Sequence, residues 1–593
     1  MNLKKYITYK QLEYLLTCQK YFIWHNDCNQ NLKNLEHDNE DDLSNSFWEI
    51  MNDWEIEQLD NYQHIDIIKT GYDLVQKLFL DQIKKTFKNK NIYIVNEKKQ
   101  ELAFNKTIEI LKDPSIDIIV NPIFIYEDMI AKCAIYDKTN QSLFSLLHSS
   151  KSKLKNYIKA YFDYNVCQKL NIPINNYLFF TYDKTKDYYK AKDLSFVSSP
   201  YCWTLKEGPS NNTKKTLQEQ AKETIINKLL SGEIITKTKK VFNPKIKKKN
   251  TEEVVELSLF LDDFDSYINK IREAKNINNY HEPTTEDVTL WGSNENFAKI
   301  FDFEKYQIQQ YSGNVLNKKE LLELSSNQKT LEDFKKMKLS LKSILNNEII
   351  IDCERAKEYI DKIKTSKVVW YDFEGFSMPY IILPHTQPYQ QLVFQVSIIT
   401  TDNEKIIYKN NHVVDPQKIS IDHCIEIIDL IYQDNIDYYV VYNQNYELSK
   451  IKDMVNLIRY KDEDLYNQYK LKLNEIKKKT IDLNDLFACK GKEKIPPIFI
   501  PDLLGFSSIK KIENYITHSK IKLPIMITPY KSLKVQNGLM AMNKAIQRYL
   551  MVIGNNEWNN EAEELKQYCE NDVKAMIMVY FFVKNLINMN TKK

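Results

Sequence analysis

Glycine is scarce in this chain: 10 occur in 593 residues, where average usage of ~7% would supply roughly forty. So few and so scattered, the glycines write neither G-x-x-x-x-G-K-[ST] nor G-x-G-x-x-G, which excludes P-loop and Rossmann dinucleotide sites in their usual form. Arginine is scarcer still. Of 83 basic residues only Arg272, Arg355, Arg459 and Arg548 are arginine. With abundant Lys, Asn, Ile and Tyr, this points to an AT-rich coding genome and carries no function. The 9 cysteines form no C-x-x-C pair, so reduced intracellular thiols are expected rather than a disulfide frame. Long apolar runs are missing too. The opening MNLKKYITYKQLEYLL has no apolar h-region or small-residue cleavage site, and the stretch around Ala575 to Val583 is too short to span a bilayer. The expected address is the cytoplasm, with no membrane partner. Nor is there an excess of one charge: 83 Lys+Arg against 80 Asp+Glu leave +3. That removes any global electrostatic argument for nucleic acid and leaves room only for a local basic patch.

What is present is a folded composition, 43% hydrophobic and 27% charged, long enough for about three domains at ~100–200 residues each. The boundaries read as 1–250, 251–350 and 351–593. The acidic run Glu36 to Asp42 reads as a solvated loop. Lys237 to Lys249, with seven lysines and a proline, reads as an exposed linker, or alternatively as a phosphate-contacting strip. From Thr251 to about Ile349 the apolar spacing is mostly helical, which predicts a helical connector. After Asp352 short β-branched and aromatic runs (KVVWYDFEGF, FQVSIITT, DYYVVYN) alternate with helical periodicity, the longest from Glu561 to Leu586. That alternation predicts an α/β layer domain.

Three carboxylate patterns lie in this last region. Asp372 and Glu374 follow a buried-strand run at i and i+2, so both point to one face of the strand. Adjacent like charges repel, and a divalent cation with oxygen preference, Mg²⁺ or Mn²⁺, removes that cost. Many strands end in solvated acids, so this pair alone is not a site. Asn443-Gln444-Asn445-Tyr446-Glu447 follows the strand run Tyr438 to Tyr442 and reads either as a ligand cluster or as an Asn helix cap with a solvated Glu. Tyr568 and Asp572, at i and i+4, share a helix face.

In this order, D-x-E, N-x-x-aromatic-acid and Y-x-x-x-D resemble the DEDD (DnaQ-like) 3′–5′ exonuclease superfamily, in its tyrosine subclass. The resemblance implies a ribonuclease H-like fold and two-metal phosphodiester hydrolysis, with ions about 3.5–4 Å apart. It implies that Asp372, Glu374, Glu447 and Asp572 are the ligands of two Mg²⁺ or Mn²⁺ ions and that Tyr568 orients or deprotonates the attacking water. Glu447 stands where the superfamily usually has Asp, with one methylene more. Pro388 to Gln391, Phe394-Gln395, Leu504 to Lys511 and Tyr568 to Met576 further resemble the bacterial domain-of-unknown-function family 2779, over roughly Ser366 to Leu586. Within it Lys510 is a candidate to neutralise a substrate phosphate, Asn443 to contact substrate, and Phe376 or Tyr389 to stack a terminal base. A surface lysine and core aromatics are the alternative for these.

Cys18 to Trp24 resembles the opening of that family's N-terminal PD-(D/E)XK-like (restriction-endonuclease-like, α+β) domain. Its chemistry is missing: Ala134-Ile135-Tyr136 and Leu146 to Lys151 carry no carboxylate where the pattern has its acids. A degenerate, binding module is expected there. With no cysteine from His281 to Phe297, no iron–sulfur cluster is expected. The expected function is a metal-dependent 3′–5′ exonuclease on single-stranded 3′ ends of DNA or RNA. The alternative is an inactive nucleic-acid-binding or scaffold protein that retains a nuclease fold.

Overall fold

A computed structural model describes residues 6–16, 79–81, 83–146, 154–182, 196–199, 236–241, 251–256, 263–276, 338–378, 381–387, 390–489 and 495–590. Cys18 to Trp24, Glu36 to Asp42, His148, His281 to Phe297 and Tyr389 lie outside these residues. The described residues form two compact units, one within 6–276 and one within 338–590. Both are mixed α/β.

The first unit holds α1 (Tyr9–Leu16), β1 (Ile92–Ile94), α2 (Gln100–Lys112), β2 (Ile118–Val120), β3 (Ile123–Tyr126), β4 (Met129–Lys132), β5 (Ile135–Asp137), β6 (Ser142–Leu146), α3 (Leu154–Lys169), β7 (Asn176–Tyr182) and β8 (Phe196–Ser199). Its six-stranded sheet runs β1-β2-β5-β6-β7-β8, and β3 and β4 pair as a separate hairpin. Ile119, Leu143 and Phe179 of the sheet pack on Ile158 and Phe162 of α3. Ile135 and Tyr136 of the first acid-free segment lie in β5 and Leu146 ends β6, while 147–151 lie outside the described residues. An ion pair runs along α3: the half-buried Lys159 lies 2.5 Å from Asp163 one turn on, and the buried Asp163 also accepts from Tyr177 at 2.9 Å.

The lysine-rich stretch read as a linker is in part a strand. β9 (Thr236–Val241) pairs antiparallel with β10 (Thr251–Glu256), in a register that sets Lys240 opposite Glu252 and Lys239 opposite Glu253. The region read as helical connector therefore starts with a strand, and its next element, α4 (Phe264–Asn276), packs into the first unit's core through Phe264, Ile268 and Ile271.

The second unit contains α5 (Leu339–Asn346), β11 (Ile350–Ile351), α6 (Cys353–Lys364), β12 (Lys367–Phe376), β13 (Leu392–Asp402), β14 (Lys405–Val413), α7 (Ile421–Ile431), β15 (Tyr438–Val441), α8 (Gln444–Ile458), α9 (Glu463–Lys479), β16 (Thr480–Asp482), β17 (Ile498–Phe499), α10 (Ile509–His518), α11 (Gly538–Tyr549) and α12 (Asn555–Asn590). The main sheet runs β14-β13-β12-β15-β16, antiparallel from β14 to β12 and parallel from β12 to β16. β12 is central, so both its faces are covered and its sequence reads as a continuous apolar run. Val369, Tyr371 and Phe373 enter one core with Ile427 of α7 and Ile451 of α8. Val368 and Trp370 enter the other with Ile360 of α6, Ile512 of α10 and Met576 of α12. This two-residue alternation decides which helix meets the acids further along the strand.

Candidate metal centre

Asp372 and Glu374 continue the Val368–Trp370 side of β12, because side chains two apart share a face. That is the side covered by α12, where Tyr580 stands edge-on to Trp370 at 5.8 Å. Glu374 pairs with Gln395 across the ladder, and Gln395 Nε2 donates to the Leu565 carbonyl of α12 at 2.7 Å. Immediately after Glu374 the register slips by a bulge, which bends the strand. A Cβ at Gly375 would stand 2.8 Å from Gln391 Cγ, so a larger residue here must displace the Gln391 side chain.

From the other side α12 brings Asp572. One oxygen each from Asp372, Glu374 and Asp572 lie within 4.8 Å of one another, and among the described residues no other group of three potential ligands gathers this way. Asp372 is half-buried, Glu374 is 2% exposed and Asp572 8% exposed. Burial pushes the Asp572 carboxyl up, opposed by the Lys510 charge and by hydroxyls of Tyr530 and Tyr568. Three carboxylates confined in this way repel one another, and burial raises the cost of their charge. An all-oxygen set of this kind fits Mg²⁺ or Mn²⁺, which relieves the repulsion. Cys569 Sγ lies 3.7 Å from Asp372 Oδ2, as a thiol donor to that carboxylate.

Around Asp572 stands a polar shell. Lys510 Nζ donates to Tyr568 Oη at 3.4 Å and lies over the rings of Tyr530 and Tyr568 at 5.8 and 5.7 Å. Tyr530, from a 3₁₀ turn at Tyr530–Ser532, donates to Asp572 Oδ1. Glu513, one turn after Lys510 on α10, is buried, and burial together with the Asp572 charge pushes its carboxyl up to about 7.

The sequence-derived residues divide. Asp372, Glu374, Asp572, Tyr568 and Lys510 come together. Glu447 does not join the acid group; its carboxylate is buried in the first turn of α8, and its charge falls on the Tyr371 phenol, which burial already holds well above the usual range. Asn443 is the residue preceding α8, at φ 76°, and its N–H donates to Asp482 at 2.9 Å. Asp482 also accepts from Gln444 N–H at 3.0 Å, so it fixes the turn that carries Glu447. Phe376 cannot stack a base. It is 0% exposed and packs against Phe394 and Tyr549. Sequence reasoning missed Tyr530, Glu513 and Asp482. Glu513 lies three residues from Lys510 on one helix face, which was a readable signal; Tyr530 has no periodic relation to any motif.

Comparison with known proteins adds three findings. The family model described as "Domain of unknown function (DUF2779)" matches residues 369–508, a span that includes Asp372, Glu374 and Glu447 but ends before Lys510 and Asp572. "Uncharacterized protein UU173" of Ureaplasma parvum serovar 3 is 26% identical over 618 aligned positions, covering 89% of this chain and 85% of that protein. "Uncharacterized protein MG366" of Mycoplasma genitalium is 27% identical over 572 positions, covering 85% and 82%. No solved structure matches the chain.

Proposed function

We propose that the chain is a divalent-metal-dependent 3′–5′ exonuclease whose second unit, read as ribonuclease H-like, hydrolyses phosphodiesters of DNA or RNA. One observation carries the reading: Asp372 and Glu374 from β12 and Asp572 from α12 converge within 4.8 Å. The adjacent Tyr568 and Lys510 support it, because an acidic centre for a polyanionic substrate needs a nearby cation and a group that can order water. In this proposal the trio holds one Mg²⁺ or Mn²⁺, Lys510 takes a phosphate oxygen and Tyr568 positions the water. A bound ion supplies a Lewis acid at the phosphoryl oxygen and a more acidic water. A second ion requires Glu447 as well, so metal stoichiometry decides between one ion and two.

A second reading is favoured by the position of Glu447 outside the trio: a nucleic-acid-binding protein without turnover. The restriction-endonuclease-like reading of the first unit, as a binding module without acids, belongs to the proposal in either case. Digestion of end-labelled single-stranded DNA and RNA with Mg²⁺ or Mn²⁺ separates the readings. Cleavage by the wild type and a loss of at least about a thousandfold in Asp372→Ala/Asp572→Ala is expected, since removing metal ligands removes the largest electrostatic term. Equal cleavage by both chains sinks the enzyme reading, and retention on the polymer with no metal-dependent turnover establishes the binding protein.

A further inference from the structure

Two phenols donate to one carboxylate, and they are not equivalent. Tyr568 sits one turn before Asp572 on the same helix. It moves with Asp572 and cannot fix it relative to the acids on β12. Tyr530 comes from a separate segment, so its bond to Asp572 Oδ1 ties the helix residue to something outside the helix.

That segment is itself fastened next to the ligand. Asn571, 3% exposed, reads both backbone groups of Thr528: Thr528 N–H donates to Asn571 Oδ1 at 2.9 Å, and Asn571 Nδ2 donates to the Thr528 carbonyl at 2.9 Å. Pro529 follows, with its restricted φ, and opens the 3₁₀ turn that begins at Tyr530. Two consecutive residues of α12 thus grip two alternate residues of the other segment, Asn571 on Thr528 and Asp572 on Tyr530. The Tyr530 ring stands edge-on to Tyr568 at 6.0 Å with a 62° interplanar angle, beneath the Lys510 ammonium.

We propose that Tyr530, delivered by the Asn571–Thr528 clamp, is a positioning residue that holds Asp572 as a preformed metal ligand. This rests on the metal-centre reading above. A neutral hydroxyl donor on one oxygen favours the charged form of the carboxylate and leaves its other oxygen presented in one orientation. Partners of this kind around metal ligands change metal affinity by about ten- to a hundredfold when removed. Nothing in the position of Tyr530 requires it to touch substrate.

The test is Mn²⁺ binding by the full chain, followed by calorimetry and by the free-ion electron paramagnetic resonance signal, with no nucleic acid present. Tyr530→Phe keeps the ring and deletes only the hydroxyl; Asn571→Ala releases the segment that carries it. Both are expected to weaken Mn²⁺ binding about tenfold or more. The double variant is expected to be no weaker than the worse single one, because both changes break one unit. Tyr432→Phe, which deletes a hydroxyl that donates to Glu475 and not to the acid trio, is expected to bind Mn²⁺ like the wild type. Circular dichroism and melting in EDTA check that each variant is folded, and Asn571→Ala carries the test alone if Tyr530→Phe is not. Wild-type affinity in a folded Tyr530→Phe, or strictly additive losses in the double variant, overturns the positioning role and leaves the metal centre standing. A wild-type chain that binds no Mn²⁺ overturns both.

Discussion

At the scale of single residues, the group most exposed to pH is Glu513. Its carboxyl is raised to about 7 by burial and by the Asp572 charge, with Lys510 opposing. Because the folded value lies above the unfolded one, the folded chain binds the extra proton between roughly pH 4.5 and 7. Stability contributed by that proton is full below this window and is lost as pH rises through it. In EDTA the wild type is expected to lose up to about 3 kcal/mol relative to Glu513→Gln between pH 4.5 and 7.5. Urea titrations at both pH values measure it. Parallel pH dependence of the two chains would show that Glu513 titrates normally.

The four arginines also belong at this scale. Arg272 donates to both Asp128 oxygens and to Glu127, Arg459 forks onto Glu463 while lying over Tyr466, and Arg355 sits beside Asp352 and the Ile495 carbonyl. Arg548 is the most enclosed, at 3% exposed. Arg272, Arg459 and Arg548 use the planar fork, which a lysine cannot reproduce.

At the scale of elements, Arg548 joins three segments. From the end of α11 its Nε and Nη2 grip Asp415 at 2.9 and 2.7 Å, its Nη1 reaches the Ile553 carbonyl at 3.2 Å, and Nη2 also meets Asn555 at the start of α12 at 2.7 Å. Lysine keeps the charge and loses the fork. Arg548→Lys is expected to destabilise by about 2–4 kcal/mol, near the cost of breaking a buried pair. The observable is a lower urea midpoint at unchanged slope; a midpoint within error of the wild type refutes the role. Asp482 acts in a similar way at the head of α8, where it satisfies the Asn443 and Gln444 N–H groups and so holds a left-handed residue at a helix entry. Burial raises its carboxyl, opposed by those backbone donors. α12 is the element on which the site depends most, since it carries Tyr568, Asn571 and Asp572 and covers the Asp372 side of β12.

At the scale of the whole molecule, no described helix is long and apolar enough to cross a membrane, and no described cysteine forms a disulfide. Stability comes from two separate units with their own cores. At Mn²⁺ concentrations a hundred times Kd, unfolding of the second unit is expected to cost about 2.7 kcal/mol more. Scanning calorimetry of Asp372→Asn/Asp572→Asn should show no gain. An equal gain in that variant would place the metal elsewhere.

The sequence by itself determined the local geometry. Short β-branched and aromatic runs located β12, β13 and β15, and the two-residue spacing fixed that Asp372 and Glu374 share a strand face. The i, i+4 spacing put Tyr568 and Asp572 on one helix face, and missing glycines excluded phosphate-cradling loops. Those features follow from backbone periodicity, which a few consecutive residues carry in full. The tertiary structure decided which of these local pairs meet. It brought α12 onto the Asp372 side of β12, left Glu447 out of the acid group, buried Phe376 in the core, and recruited Glu513 from α10 and Tyr530 from a turn that no motif marks. It also turned part of a lysine run into a strand by pairing it with Thr251–Glu256. Such convergence depends on which faces pack together across long stretches of chain, and no spacing within a short segment encodes it.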